Sequence, residues 1–297
     1  MTGTVEATDG LVLVAGHESA YGAELEGLAA ALPGAVVTVA GRPLHNQMQR
    51  LLDAGTEVVT VLPMTWGRDP VMVADTARTL RWLRDGGAGG RVALTSPFGT
   101  IDHLTTLLRK AVTRTHAEHP GATVLVVARR ADPFDDAELH RVAHLVRTHG
   151  AGVPVEVACV ADAGDLAEAV RRAHLLGAEQ VVAVPAGFGA TVPGAEARDD
   201  VLLHGPLLPV AVTAQVARRR QAEARHALAH GDDGIDAGLL ADHGHGYAHS
   251  HGVGGDDHGH GHGHGHGRAS ASQALRASAS HARLIAVSSL CASVLPP

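Results

Sequence analysis

Apolar residues run without interruption at Leu11-Val12-Leu13-Val14-Ala15 and again at Val124-Leu125-Val126-Val127-Ala128. Unbroken short runs of this kind predict strands buried on both faces of a parallel sheet. Shorter runs around Val37, Val39 and Ala40, at Val58-Val59-Thr60-Val61-Leu62, around Val155, Val157 and Ala158, and at Val181-Val182-Ala183-Val184 predict further strands. Between them the apolar positions fall three and four apart, as at Leu104, Leu107, Leu108 and Val112, which predicts amphipathic helices. Strands alternating with helices make an α/β fold, with parallel sheets wound by right-handed crossovers.

The pattern occurs twice. The stretch Leu52-Asp53-Ala54-Gly55-Thr56-Glu57-Val58-Val59 through Pro63-Met64-Thr65-Trp66-Gly67 aligns without gaps on His174-Leu175-Leu176-Gly177-Ala178-Glu179-Gln180-Val181 through Pro185-Ala186-Gly187-Phe188-Gly189. Helix, glycine, strand, proline, aromatic and glycine all recur, and Pro97 and Pro206 each precede a last helix. Two lobes are expected, at residues 10–118 and 122–229. The composition then breaks, and residues 230–297 read as a low-complexity tail, disordered for want of apolar side chains.

A hydrophobic content of 45% supports a core, and with only two Trp, two Tyr and three Phe that core must be built from Ala, Val and Leu. A net charge of −7, without aromatics interleaved among Lys and Arg, argues against nucleic acid as a partner. Two cysteines, Cys159 and Cys291, are too few for a disulfide framework or a cysteine zinc site, which fits a reducing cytoplasm. No signal peptide opens the chain and no run approaches the roughly 20 apolar residues that span a bilayer, so no membrane association is expected. Within the tail, residues 243–266 carry nine histidines, at 243, 245, 249, 251, 258, 260, 262, 264 and 266. Neutral imidazole is a ligand for zinc, nickel, cobalt and copper, and intervening glycines let the chain wrap an ion. His243, His245, His249, His251, His258, His260, His262, His264 and His266 are therefore candidate metal ligands.

The residue just past a parallel strand sits where α/β folds bind ligands, and there the first copy carries Gly16-His17-Glu18-Ser19. The segment Val14-Ala15-Gly16-His17-Glu18-Ser19, with Asp132-Pro133-Phe134-Asp135-Asp136-Ala137-Glu138 opening the second copy and Leu176-Gly177-Ala178 before its third strand, resembles the class II chelatases of tetrapyrrole synthesis. The likeness is to the long, two-lobed sirohydrochlorin cobaltochelatase type, and it covers about residues 10 to 228. It implies two tandem chelatase-like lobes, each a parallel sheet flanked by helices. It also implies insertion of a divalent metal, Co²⁺ in preference to Ni²⁺ or Fe²⁺, into sirohydrochlorin or a related tetrapyrrole held in a cleft between the lobes. The metal ion is then a substrate, no organic cofactor is implied, and other cobalamin-pathway enzymes become candidate partners.

By the resemblance, His17 is the metal-handling and proton-accepting residue. The family's Gly-His-Gly-Ser is here Gly16-His17-Glu18-Ser19, and no histidine follows the strand ending near Pro63. Glu18, Asp69 and His103 are candidate replacements for that second histidine, Glu18 and His103 with a catalytic role and Asp69 as a metal ligand. His45, beyond another strand end, is a further candidate ligand. Arg42, Arg68, Arg129 and Arg130 follow strand ends and are candidates to bind the macrocycle's carboxylates. Other chemistries fail on spacing. His17-Glu18 lacks the second histidine of a His-Glu-x-x-His helix, and Ser19 is not in Gly-x-Ser-x-Gly. Gly86-Gly87-Ala88-Gly89-Gly90 follows a helix, the reverse of a phosphate loop. Two alternatives stay open: a metal storage or delivery protein on the same fold without turnover, and a tetrapyrrole-binding regulatory module.

Overall fold

The computed structural model describes residues 9–149 and 152–242. The histidines of 243–266, candidate metal ligands by sequence, lie outside the described residues. Strands β1 (Gly10–Ala15), β2 (Ala35–Val39), β3 (Val59–Met64) and β4 (Val92–Leu94) form one parallel sheet in the order β2-β1-β3-β4. Strands β5 (Thr123–Arg129), β6 (Val155–Val160), β7 (Val181–Pro185) and β8 (Val201–Leu203) form a second in the order β6-β5-β7-β8. The two orders are the same, so the repeat in the sequence is a repeat of topology. The three-residue β8 is too short to register in the hydrophobic pattern.

Eight helices are described: α1 (Glu26–Ala30), α2 (Arg42–Asp53), α3 (Pro70–Leu83), α4 (Ile101–Glu118), α5 (Pro133–Thr148), α6 (Ala163–Leu175), α7 (Val210–Ala229) and α8 (Ile235–Leu239). Several start where the sequence provides a cap. Asp69, Thr100, Asp132 and Asp162 each accept a backbone N–H of the first turn, and Pro70 and Pro133 occupy the first helical positions, where a missing N–H costs nothing. Among the described residues, no helix is long and apolar enough to cross a membrane.

Side chains alternate along each central strand and feed different layers. Leu11, Leu13 and Ala15 of β1 join Val124, Val126 and Ala128 of β5 in one apolar cluster that runs through both halves. Val12 and Val14 face α2 and α3, while Leu125 and Val127 face α6. The last helix of each copy does not stay with its own sheet. α4 packs on α5 and β7 of the second sheet, and α7 packs on β3, β4 and α1 of the first. This exchange is why the inner cluster is continuous and why the halves are not separable at a single point in the chain.

The composition break assigns residues from 230 onward to the tail, but the structure gives 232–242 a folded place. Asp233 O accepts the Leu94 N–H at 2.8 Å, extending β4, and Ile235 is fully buried among the apolar side chains between the first sheet and α3. Ile235, with Leu239 packed on the same cluster and Arg84 paired with Asp233 and Asp236, anchors a five-residue helix within a polar and glycine-rich stretch, and periodicity cannot reveal so short an apolar anchor.

Candidate metal centre

The site is assembled at the carboxyl ends of β1, β3 and β5. His17 follows β1, Asp69 caps α3 just after β3, and Asp135 lies in the first turn of α5, just after β5. Imidazole and carboxylate atoms of these three residues lie within 4.8 Å of one another, and all three residues are buried. His17 Nε2 is 3.3 Å from Asp135 Oδ2 and 3.9 Å from Asp69 Oδ2. Two ligands held at roughly 2.1 Å from a common ion stand about 3–4 Å apart, so this spacing suits a divalent cation. His17 Nε2 also lies 3.2 Å from the Arg68 carbonyl oxygen. A proton on that nitrogen bridges to the neighbouring oxygens in the ion's place.

Close backbone approach makes the assembly possible. A Cβ on Gly16 would stand 2.0 Å from Asp69 Oδ2, so only glycine lets the Asp69 carboxylate reach the backbone of His17, whose N–H it accepts at 3.4 Å. Asp69 Oδ1 meanwhile takes the Met72 N–H at 3.1 Å, which fixes the carboxylate in one orientation.

Arg68 was a candidate to bind the macrocycle's carboxylates, which needs an accessible guanidinium. It is instead 1% exposed, with its Nε and Nη2 each donating to the Asp135 carbonyl oxygen at 3.3 Å and Nη2 lying 3.8 Å from Asp136 Oδ1. It ties the first half to the start of α5. Glu18 turns its Oε2 to the Thr65 hydroxyl and to the Trp66 N–H, the latter at 3.0 Å, and its carbonyl oxygen accepts the Phe188 N–H at 3.1 Å. These bonds hold the loop after β3 and the facing loop after β7, and Glu18 lies outside the ligand cluster. Three polar atoms beside the triad, His17 Nδ1, Glu18 Oε1 and Arg68 Nη1, are buried without a partner among the described residues. Unsatisfied groups of this kind are costly unless water or a ligand meets them.

The charges perturb one another. Burial pulls the His17 imidazole down, but its hydrogen bond to Asp135 and the Glu18 and Asp69 carboxylates outweigh burial and leave its pKa raised. Burial raises the Glu18 pKa against the opposing pull of Arg68, His17 and Thr65. Burial likewise raises the Asp135 pKa, against its hydrogen bond to His17. Without a cation, these three groups therefore keep their protons to higher pH than the same groups in water.

The remaining candidates fall elsewhere. His103, a candidate catalytic residue, lies outside the ligand cluster in the capping box of α4: its Nδ1 accepts the Thr100 N–H at 3.1 Å while Thr100 caps the helix, and burial together with Arg220 lowers its pKa. His45 lies on α2 with its ring edge-on to Trp82, 4.7 Å between centroids, outside the ligand cluster. Arg42 is exposed. Arg130 is exposed and paired with Asp165 at 2.8 Å. Arg129 is exposed at the end of β5 and lines a small cavity beside His17. Asp135 is the residue that sequence reasoning missed. The Asp132-to-Glu138 segment was read as a marker of the second copy, and nothing local distinguishes Asp135 from Asp136.

A cleft wide enough for a flat macrocycle at His17 is not present in this conformation. His17 is 6% exposed, and the cavity beside it, lined also by Glu18, Glu24, Arg129 and Ala186, has a volume of about 30 Å³. That is room for a water or an ion, whereas ligand pockets for larger molecules run to roughly 300–1,000 Å³. The physical reason is contact between the repeat-related loops. Trp66 and its counterpart Phe188 stack at 5.2 Å and 14°, Phe98 packs edge-on to both, and Gly189 N–H donates to Glu24 Oε2 at 2.9 Å.

No protein-family model and no curated protein matches the sequence. Among solved structures, the chain is similar to SirB from Bacillus subtilis with Fe3+, at 16% identity over 76% of this chain and 98% of that one, with a TM-score of 0.46. It is similar also to the sirohydrochlorin chelatase SirB from Bacillus subtilis subspecies spizizenii in complex with cobalt, at 16% identity over 74% and 96% of the two chains and a TM-score of 0.43. A third likeness is to DR2241 from Deinococcus radiodurans, a multi-domain protein with structural similarity to chelatases, at 19% identity over 75% and 60% and a TM-score of 0.40. At these values the function has to be argued from the site.

Proposed function

We propose that this protein binds a divalent cation, Co²⁺ by preference, at His17, Asp69 and Asp135 and inserts it into sirohydrochlorin or a related tetrapyrrole, a step of cobalamin or sirohaem synthesis in the cytoplasm. The observation that carries the reading is the buried triad, with two ligands from the first half and one from the second. Insertion exchanges one M²⁺ for the two pyrrole N–H protons. It needs an ion held by few, exchangeable ligands, and bases nearby to take the protons. One imidazole and two carboxylates meet the first need, and His17 and Asp135, both with raised pKa, meet the second. The ring reaches the ion only when the loops joined by Glu18, Phe188, Arg68 and Asp135 part. The histidine-rich segment would raise the local concentration of cobalt or nickel, which bind nitrogen ligands more tightly than ferrous iron.

The test is to incubate the purified full chain with sirohydrochlorin and Co²⁺ and follow the absorbance change, with His17→Ala as the control. Metallation lost in the variant supports insertion. The small closed cavity favours a second reading, a protein that stores or delivers the ion without turnover. Co²⁺ bound at the triad while the macrocycle stays unmetallated would establish that reading and sink the first.

A further inference from the structure

Strand β6 pairs with β5 and, among the described residues, with no other strand, so it forms a free edge of the second sheet. Along it runs a groove of about 550 Å³, within the range of pockets that hold small organic molecules. Its floor is the start of β6, at Val155 and Val157. One wall is the carboxyl half of α5, with His140, His144 and Arg147, and the other is the end of α6, with Arg172, Leu175 and Leu176. The metal centre lies past the carboxyl end of β5, which runs parallel to β6, so the groove sits at the opposite end of the sheet. At about 1.5 Å per residue, Arg147 stands roughly 18 Å along α5 from Asp135.

Both walls carry a guanidinium that meets no carboxylate. Arg141 of α5 and Arg171 of α6 are paired on their own helices, with Glu138 and Glu168. Arg147 and Arg172 form no ion pair among the described residues. Arg147 Nη2 lies 3.5 Å from His144 Nδ1, and Arg172 Nη2 reaches the Val157 carbonyl oxygen at 3.5 Å. Among the described residues Glu156 is the one carboxylate in the lining, against two guanidiniums and two imidazoles. Beside these groups Leu175 and Leu176, 73% and 72% exposed, are the most exposed large apolar side chains among the described residues. Apolar surface left in water on this scale marks a place where burial against a ligand is favourable.

We propose that this groove binds a small molecule that joins an apolar body to one or more anionic groups. Leu175 and Leu176, with the valines of the floor, take the body, and the planar forks of Arg147 and Arg172 take the anion, carboxylate or phosphate. Extension of the sheet by a strand from a second copy fits less well. The Pro154 and Val160 carbonyl oxygens accept N–H groups from the β5 side, so the alternate Val157 carbonyl faces the free edge, and there Arg172 already occupies it. Neither the metal centre nor its chemistry is needed for such binding.

The experiment titrates the full chain with anilinonaphthalene sulfonate, an apolar anion whose fluorescence rises on binding, and with N-phenylnaphthylamine, which keeps the rings and lacks the anion. The expected result is one saturable site for the anion, with the neutral analogue bound about tenfold more weakly or worse. The double variant Arg147→Gln with Arg172→Gln should weaken anion binding by about tenfold or more and leave the neutral analogue as it was. Leu176→Glu keeps both guanidiniums and sets a carboxylate at an exposed position of the groove, so it should weaken the anion too, whatever the double variant does to the fold. Displacement of the dye by octanoate or by octyl phosphate supports the site and tells which anion it takes, and displacement by neither overturns it. Anion binding unchanged in either variant also overturns it, as does equal binding of the neutral analogue. A dimer that Leu176→Glu dissociates would give this face to a second copy and overturn the proposal as well.

Discussion

Asp135→Asn is the most discriminating single change at the centre. The amide keeps the size of the carboxylate. Arg68 binds the backbone carbonyl of residue 135, and Asp132 caps its N–H at 3.1 Å, so both supports survive the substitution. What is lost is one of three ligands and one negative charge, 3.3 Å from the imidazole. Removing a hydrogen-bond partner that only supports a ligand commonly costs about 10- to 100-fold in metal affinity. Loss of the ligand itself should cost at least the upper end, about 100-fold or about 2.8 kcal/mol. Calorimetric titration of the full chain with Co²⁺ at pH 7.5 reads this out. Ions taken by the histidine-rich segment are common to both proteins, so the variant should lack one tight equivalent. Superimposable isotherms would refute the idea that the second half contributes to the centre.

Gly16→Ala should displace the Asp69 carboxylate, since the new methyl carbon falls 2.0 Å from Oδ2. We expect about 1–3 kcal/mol of destabilisation by chemical denaturation, and loss of the same tight Co²⁺ equivalent. His103→Ala removes only a cap partner of α4, so it should cost about 0.5–1 kcal/mol and leave Co²⁺ binding as it was, and a loss of binding would restore His103 to the site. The pH dependence follows from the raised pKa values of His17, Glu18 and Asp135. At these three groups the metal-free fold binds more protons than the unfolded chain. Their contribution to stability is therefore fullest below the unfolded values, 6.5 for His17, 4.5 for Glu18 and 3.8 for Asp135, and is lost as pH rises through the higher folded values. Because Co²⁺ must displace those protons, its affinity should rise over pH 5.5 to 8 and binding should release protons, detectable in buffers of different ionisation enthalpy. An affinity that is flat or falls with pH would contradict the assignment.

The sequence by itself determined the α/β class, the duplication and the place of His17. Each of these is written locally, in the unbroken apolar runs of β1 and β5, in the gapless match of residues 52–67 to 174–189, and in a histidine placed just after a strand. Asp69 was visible for the same reason, as a polar residue on the loop after β3. Only the tertiary structure decided that Asp135 joins them, because its partnership with His17 spans the halves and depends on how α5 docks against the loop bearing Arg68. The exchange of α4 and α7 between sheets, the burial of Arg68 and the anchoring of α8 by Ile235 are likewise products of packing. Periodicity tells which face of an element is apolar and is silent on which surface that face will meet. Strand-end position pointed to where the candidate cluster forms, and packing of the halves chose which side chains complete it.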